Sequence, residues 1–206
     1  MNEMKKTAFA LLAAAFLATP AMAAMPITAG AELGFGISFN DGLDGAGFGD
    51  RVGFPIINLR GMFLLENVQV GAYPLAVGGM IGYDRLYSFE YDLPTYNIPG
   101  MGVVGGGTVE TSVSSFPLLA LVQARPIAQP LYVEAGLGFA IVSWSSEANG
   151  VENSDSELDF GLLLGAGYAI GLNEQMEIPV GARMMMIFND GSSKQIQITA
   201  GFNYKL

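Results

Sequence analysis

Apolar residues return at every second position through most of this chain. In Ala31-Glu32-Leu33-Gly34-Phe35-Gly36-Ile37-Ser38-Phe39 the odd positions are apolar and the even ones small or polar, a period of two that reads as a strand with two unlike faces. Residues 131 to 142 set Leu131, Val133, Ala135, Leu137, Phe139 and Ile141 against Tyr132, Glu134, Gly136, Gly138 and Ala140. Residues 158 to 170 and 178 to 188 repeat the pattern, and 195 to 206 hold it to the last residue. Two noisier strands are predicted near 55 to 64 and 113 to 125. Another, near 72 to 83, changes parity around Pro74, where a bulge or a late strand start is expected.

That makes eight strands, and their links alternate in length. Residues 40 to 53, 84 to 112, 143 to 156 and 189 to 194 make one set of ends. Residues 65 to 70, 126 to 130 and 171 to 175 make shorter turns at the other. Long loops at one end and short turns at the other predict an all-β fold, an eight-stranded antiparallel up-and-down transmembrane β-barrel. A soluble sandwich or barrel also alternates, so the sign of the alternation decides. Here the face with the larger side chains is free of charge, and the opposite face holds the glycines and the strand charges. Bulky apolar groups facing outward suit lipid, where Lys or Arg at mid-bilayer would cost roughly 2–4 kcal/mol. Aromatic residues cluster by height, Phe39, Tyr83, Phe116, Phe160 and Phe188 near the loop ends, and Phe63, Tyr168 and Tyr204 near the turn ends. Such girdles mark two membrane interfaces.

The first residues follow another rule. Lys5 and Lys6, the apolar run from Ala8 to Ala18, Pro20 and Ala21-Met22-Ala23 read as a cleaved signal peptide over residues 1–23, leaving the barrel at 24–206. Its apolar stretch is too short to span a bilayer as a helix, which takes about 20 residues. The 206 residues carry 9 Lys and Arg against 19 Asp and Glu, a net charge of −10, which repels nucleic-acid phosphates and excludes them as partners. The 28 glycines suit tightly curved β-structure. With no Cys and no His, disulfides, thiol nucleophiles and the commonest metal ligands and general bases are absent.

The ending Thr199-Ala200-Gly201-Phe202-Asn203-Tyr204-Lys205-Leu206 resembles the C-terminal signal of outer-membrane β-barrels, with Leu206 where Phe is commoner. With the signal peptide and the eight strands, the chain resembles small barrels of the OmpA/OmpX type, including the OmpW-like branch. The resemblance implies a bacterial outer-membrane location and insertion by the barrel assembly machinery. It also implies contact with outer-membrane lipid and lipopolysaccharide. Loops are expected outside the cell, termini in the periplasm, and the barrel as a monomer.

Enzymes of this membrane resemble one another in using His, which is absent here, so no catalysis is expected and no cofactor. A carboxylate pair drawn from Glu134, Asp159 and Glu177 is conceivable, but inward Arg partners make structural ion pairing the stronger reading. The acidic loops, with only Arg51, Arg85 and Lys194 as counter-charges, could hold calcium or magnesium weakly; solvated loops are the simpler reading, and no metal site is assigned. Parity points Glu32, Arg60, Arg125, Glu134, Glu177, Arg183 and Lys205 into the lumen, mostly in its turn-side half. An eight-stranded barrel is just wide enough to be filled by its own side chains, so this charge network is expected to plug it, with Arg60 and Arg183 on carboxylates such as Glu32 and Glu177. Higher up, Met80, Leu119, Leu121, Leu163, Met185 and Ile187 form an apolar lumen site. Two functions follow. The favoured one is a closed structural or adhesin-like barrel working through its loops. The alternative is an OmpW-like conduit or pocket for small hydrophobic molecules. Under either, the 84–112 loop, with Tyr87, Phe89, Tyr91, Tyr96 and the run Met101 to Gly107, is expected to be aromatic, mobile and functional.

Overall fold

The computed structural model describes residues 27–39, 51–71, 73–99, 102–125, 130–148, 151–188 and 193–206. The expected signal peptide, residues 40–50 of the first long loop, most of the 126–130 turn and residues 189–192 lie outside the described residues. The strands are β1 (Ile27–Phe39), β2 (Val52–Val70), β3 (Tyr73–Asp92), β4 (Thr95–Ile98), β5 (Gly102–Gly105), β6 (Thr108–Ala124), β7 (Leu131–Ala148), β8 (Val151–Gly171), β9 (Met176–Phe188) and β10 (Ser193–Lys205).

Eight of them close into one ring in the order β1-β10-β9-β8-β7-β6-β3-β2, with β4 and β5 a separate two-stranded hairpin. Every pairing is antiparallel, and β1 meets β10 from Thr28–Lys205 to Phe39–Lys194. Within the ring closure leaves no strand edge unpaired, the condition for a sheet to stand in hydrocarbon. The alternation does the rest: Leu33, Leu59, Leu137, Leu164, Ile196 and Phe202 stand exposed on the outside of the ring. Glu32, Arg60, Glu134 and Arg183 are buried within it. At one rim the rings of Tyr83 and Phe116 lie 5.2 Å apart and those of Phe160 and Phe188 5.8 Å apart, so the loop-end girdle is a belt of touching aromatics.

Three expectations need correction. Residues 84–92 and 108–112, assigned to a long mobile loop, continue β3 and β6, and 143–148 and 151–156 continue β7 and β8. The two-residue period persists there, with Tyr87, Phe89 and Tyr91 alternating with Ser88, Glu90 and Asp92, but Ser, Thr and Glu replace the aliphatic residues of the outward face, so the segments do not read as membrane strands. The β4–β5 hairpin rejoins β6 through Gly106 and Gly107 at φ 86° and 111°, values that glycine adopts without strain. Second, the irregularity expected at Pro74 sits on its partner strand. Leu65 pairs with Leu75 and Gln69 with Pro74, so the extra residues belong to β2. Third, β2 runs on to Val70 through the segment assigned to a turn, and the turn that follows begins at Gly71, at φ 64°.

Leu137 pairs with Ala120 and Leu162 in the middle of the outer face. Leu137→Arg is expected to destabilise the barrel in lipid vesicles by about 2–4 kcal/mol. The urea midpoint, with the different gel mobilities of boiled and unboiled barrel as readout, measures it; an unchanged midpoint would place this face in water.

Candidate functional site

The lumen is crossed by a chain of paired polar groups. Glu32 on β1 accepts from both sides: Arg60 Nη1 on β2 donates to Oε1 at 2.7 Å and Arg183 Nη1 on β9 to Oε2 at 2.7 Å. Arg60 Nη2 reaches across to Glu134 Oε2 on β7 at 2.9 Å. Arg183 spends its remaining donors on Gln197 Oε1, at 2.7 Å from Nε, and on Asn58, whose amide oxygen faces the guanidinium. From Gln197 the chain climbs: its Nε2 donates to Asp84 Oδ2 at 2.9 Å and to Gln195 Oε1 at 2.8 Å. Gln195 Nε2 in turn donates to Ser38 Oγ at 3.3 Å and to the Arg85 carbonyl at 3.0 Å. At the turn end a second group forms, where Arg125 donates to both oxygens of Glu177, at 2.7 and 3.0 Å. Asn203 Nδ2 adds a donor to the same carboxylate at 3.0 Å, and Lys205 Nζ stands 3.8 Å away.

The other half of the interior is apolar. Met80, Leu119, Leu121, Leu163, Met185 and Ile187 are buried in one cluster with Leu86, Val113 and Val142. On β6 and β9 the apolar residues lie on the loop side of Gln123, Arg125, Glu177 and Arg183, while Gln197, Gln195, Ser38 and Asp84 carry polar groups up the side of β1 and β10. Met80 sits opposite Arg60 in the β2–β3 register, and its sulfur lies 3.7 Å from Arg183 Nη1. The inward positions of β1 and β10 are polar or glycine, those of β2 alternate between Ile56, Asn58, Arg60 and Met62, and β6, β7 and β8 supply most of the apolar cluster. Glycines give these side chains room. A Cβ on Gly136 would stand 2.6 Å from Leu121 Cδ2, and one on Gly165 2.8 Å from the Cβ of Arg183, so larger residues there would displace the filling.

Above the girdle β3, β6, β7 and β8 continue as a four-stranded wall, while β1 and β9 are described as far as Phe39 and Phe188. Its rows alternate between faces. On the outward face Glu90, Glu110, Glu147 and Glu152 stand side by side in register, above a row of Ser88, Ser112, Ser145 and Ser154. Like charges directly opposite one another disfavour pairing, and Ser145 Oγ relieves one by donating to Glu152 Oε1 at 2.9 Å. A groove of about 480 Å³ runs along these rows, lined by Arg85, Ser88, Glu90, Glu110 and Glu147 and also by Phe89 and Thr111 of the neighbouring rows. On the face that continues the lumen, Tyr87, Val113, Trp144 and Asp155 form one row and Phe89, Thr111, Ser146 and Asn153 the next.

The residues expected to line the lumen meet there, with two differences of pairing. Arg60 and Arg183 share Glu32, whereas Glu177 pairs with Arg125, since β9 places Glu177 at the mouth. Asp84, counted among the loop acids, is buried inside the barrel beside Gln197. Its parity with Met80 and Gly82 was the available signal. Asn58, Gln195 and Gln197 escape a reading based on charge, because neutral amides on the inward face look like ordinary barrel polarity. The glutamate row was not legible either, since strand register alone aligns it. Among the described residues no group of three or more acids is placed to hold a metal ion. Removing Arg183 leaves Gln197 and Asn58 without their shared donor and Glu32 with a single counter-charge. Breaking a buried pair in this way costs roughly 3–5 kcal/mol, so Arg183→Met is expected to lower the urea midpoint sharply. Arg125→Met, at a partly solvated mouth, should lower it less; no change for Arg183→Met would mean a solvated interior.

Known proteins share this architecture. The crystal structure of Ail, the attachment invasion locus protein of Yersinia pestis, superposes with a TM-score of 0.57 at 14% identity, covering 88% of this chain and 99% of Ail. Ail in complex with the heparin analogue sucrose octasulfate gives 0.55 at 14% identity, over 87% and 99%. Neisserial surface protein A gives 0.46 at 14%, over 87% and 97%. No curated protein sequence matches. Residues 9–205 match the outer membrane protein beta-barrel domain, and with that match over nearly its whole length the chain belongs to this family of small outer-membrane β-barrels of the OmpA/OmpX type.

Proposed function

We propose that the protein is a closed, non-catalytic barrel whose work is surface interaction, carried outside the cell by the wall of β3, β6, β7 and β8. One observation carries this reading: the centre of the lumen is filled, with a cavity of about 370 Å³ confined to its turn-end mouth beside Arg60, Met62, Arg125 and Glu177, while β3, β6, β7 and β8 overshoot the girdle. Leu119, Leu163, Asn58 and Gln197 are wholly buried at its centre, and the charges that might attract ions already hold one another. Glu134 and Glu177, the carboxylates considered for catalysis, each accept from an arginine, which favours a structural role. The turn end with both termini then faces the periplasm, and the barrel stands as a monomer among lipid and lipopolysaccharide after insertion by the barrel assembly machinery. Ail, a barrel of the same fold, has been solved with a polysulfated sugar. The glutamate row here is unsuited to such a polyanion, so a partner of different charge is expected.

The alternative, a conduit or pocket for small hydrophobic molecules, would use Met80, Leu119, Leu121, Leu163, Met185 and Ile187. Their tight mutual packing favours the closed reading. In a planar bilayer the barrel is expected to pass negligible current and to take up no apolar fluorescent dye. Sustained conductance, or saturable dye uptake abolished by Leu121→Gln, would replace the closed barrel with the conduit.

A further inference from the structure

The lumen-side face of the wall carries an aromatic ladder that packing alone does not account for. Tyr87, Phe89 and Tyr91 follow one another at alternate positions of β3, and their rings are stacked at 6.4 and 6.3 Å with planes 14° and 26° apart. Tyr87 packs on the buried cluster, but the ladder then climbs away from it until Tyr91 is 49% exposed. Two strands across from Tyr87, Trp144 is 38% exposed on the same face. A row of parallel aromatic rings that rises from the core to the half-exposed Tyr91, with Trp144 partly open on the same face, is a surface suited to contact.

The flanking strands say what kind of contact. In register with Phe89 stand Thr111, Ser146 and Asn153, and Thr111 Oγ1 lies 3.4 Å from Ser146 Oγ. Hydroxyls and an amide thus run beside the ladder, each able to give and take hydrogen bonds. A pyranose ring asks for that combination, because its C–H face stacks on an aromatic ring while its hydroxyls project sideways to polar neighbours. Charge narrows the class. Asp155 lies in the Tyr87 row, and the row of glutamates borders the opposite face, so the field around the ladder is negative and repels an anionic chain.

From these features we infer that the inner face of the wall is a binding platform for an uncharged saccharide chain stacked on Tyr87, Phe89 and Tyr91. The assignment rests on the surface-interaction reading above and gives that reading a ligand class. Trp144 is the one tryptophan of the chain, so its fluorescence reports on this face alone. The full barrel in lipid nanodiscs is titrated with cellohexaose, N-acetylchitohexaose, a heparin hexasaccharide and hexalysine. A saturable change with at least one neutral hexasaccharide and none with heparin is expected. Phe89→Ala should weaken that binding ten-fold or more, Phe89→Trp, compared by calorimetry, should retain it, and Ser156→Ala, outside the groove that Phe89 lines, should leave it unchanged. If Phe89→Ala loses its heat-dependent gel mobility, Tyr91→Ala takes its place, since that side chain is half in water already. Binding by neither neutral chain, binding indifferent to the ladder variants, or binding of heparin or hexalysine alone would overturn the assignment. The conductance measurement is independent of all of these, so a lost ligand class and a lost closed barrel are told apart.

Discussion

Closure of the sheet is the constraint on which everything else in this protein depends. In hydrocarbon each unpaired N–H or C=O costs several kcal/mol, and pairing β1 with β10 along almost the whole of β1 removes the edges that an open sheet would leave. Once the ring is closed, each residue faces either lipid or lumen, with no third environment between the girdles. The two-residue period of the sequence is the direct imprint of that choice.

Closure at eight strands also fixes the interior. So narrow a ring has room for side chains and little else, and charges placed there cannot rely on water. Glu32 illustrates the solution, with one oxygen for Arg60 and the other for Arg183. Each arginine is then tied to a further strand, through Glu134 and Gln197. Opposite sides of the ring are thus joined through its centre as well as around its wall. A buried pair of this kind is weak evidence of net stabilisation, because desolvation offsets much of the attraction. Its clearer effect is on register, since a strand slipped by one residue would turn its charge to lipid.

The wall escapes both constraints. Above the girdle no lipid demands apolar residues on one face and no narrow lumen demands filling on the other, so composition there is free to answer to partners. The two faces diverge accordingly. One carries serines and a row of glutamates that oppose one another across three strand pairings, an arrangement that works against pairing stability. The other carries stacked aromatic rings.

The class of fold, the lipid face, the girdles and the parity of Glu32, Arg60, Arg125, Glu134, Glu177 and Arg183 are legible in the order of residues, because each follows from a two-residue period. The inward parity of Asp84 was legible there too, though it was assigned to a loop. Which arginine meets which carboxylate emerged with the folded ring, since pairing across a lumen depends on where the ring closes and how its strands are staggered, quantities no single strand contains. The same holds for the placing of Met80 level with Arg60, which depends on the stagger between β2 and β3. The wall was illegible for a different reason. Above the girdle the outward face changes from aliphatic side chains to serines and glutamates, so the alternation persists without the apolar outer face by which a membrane strand is recognised.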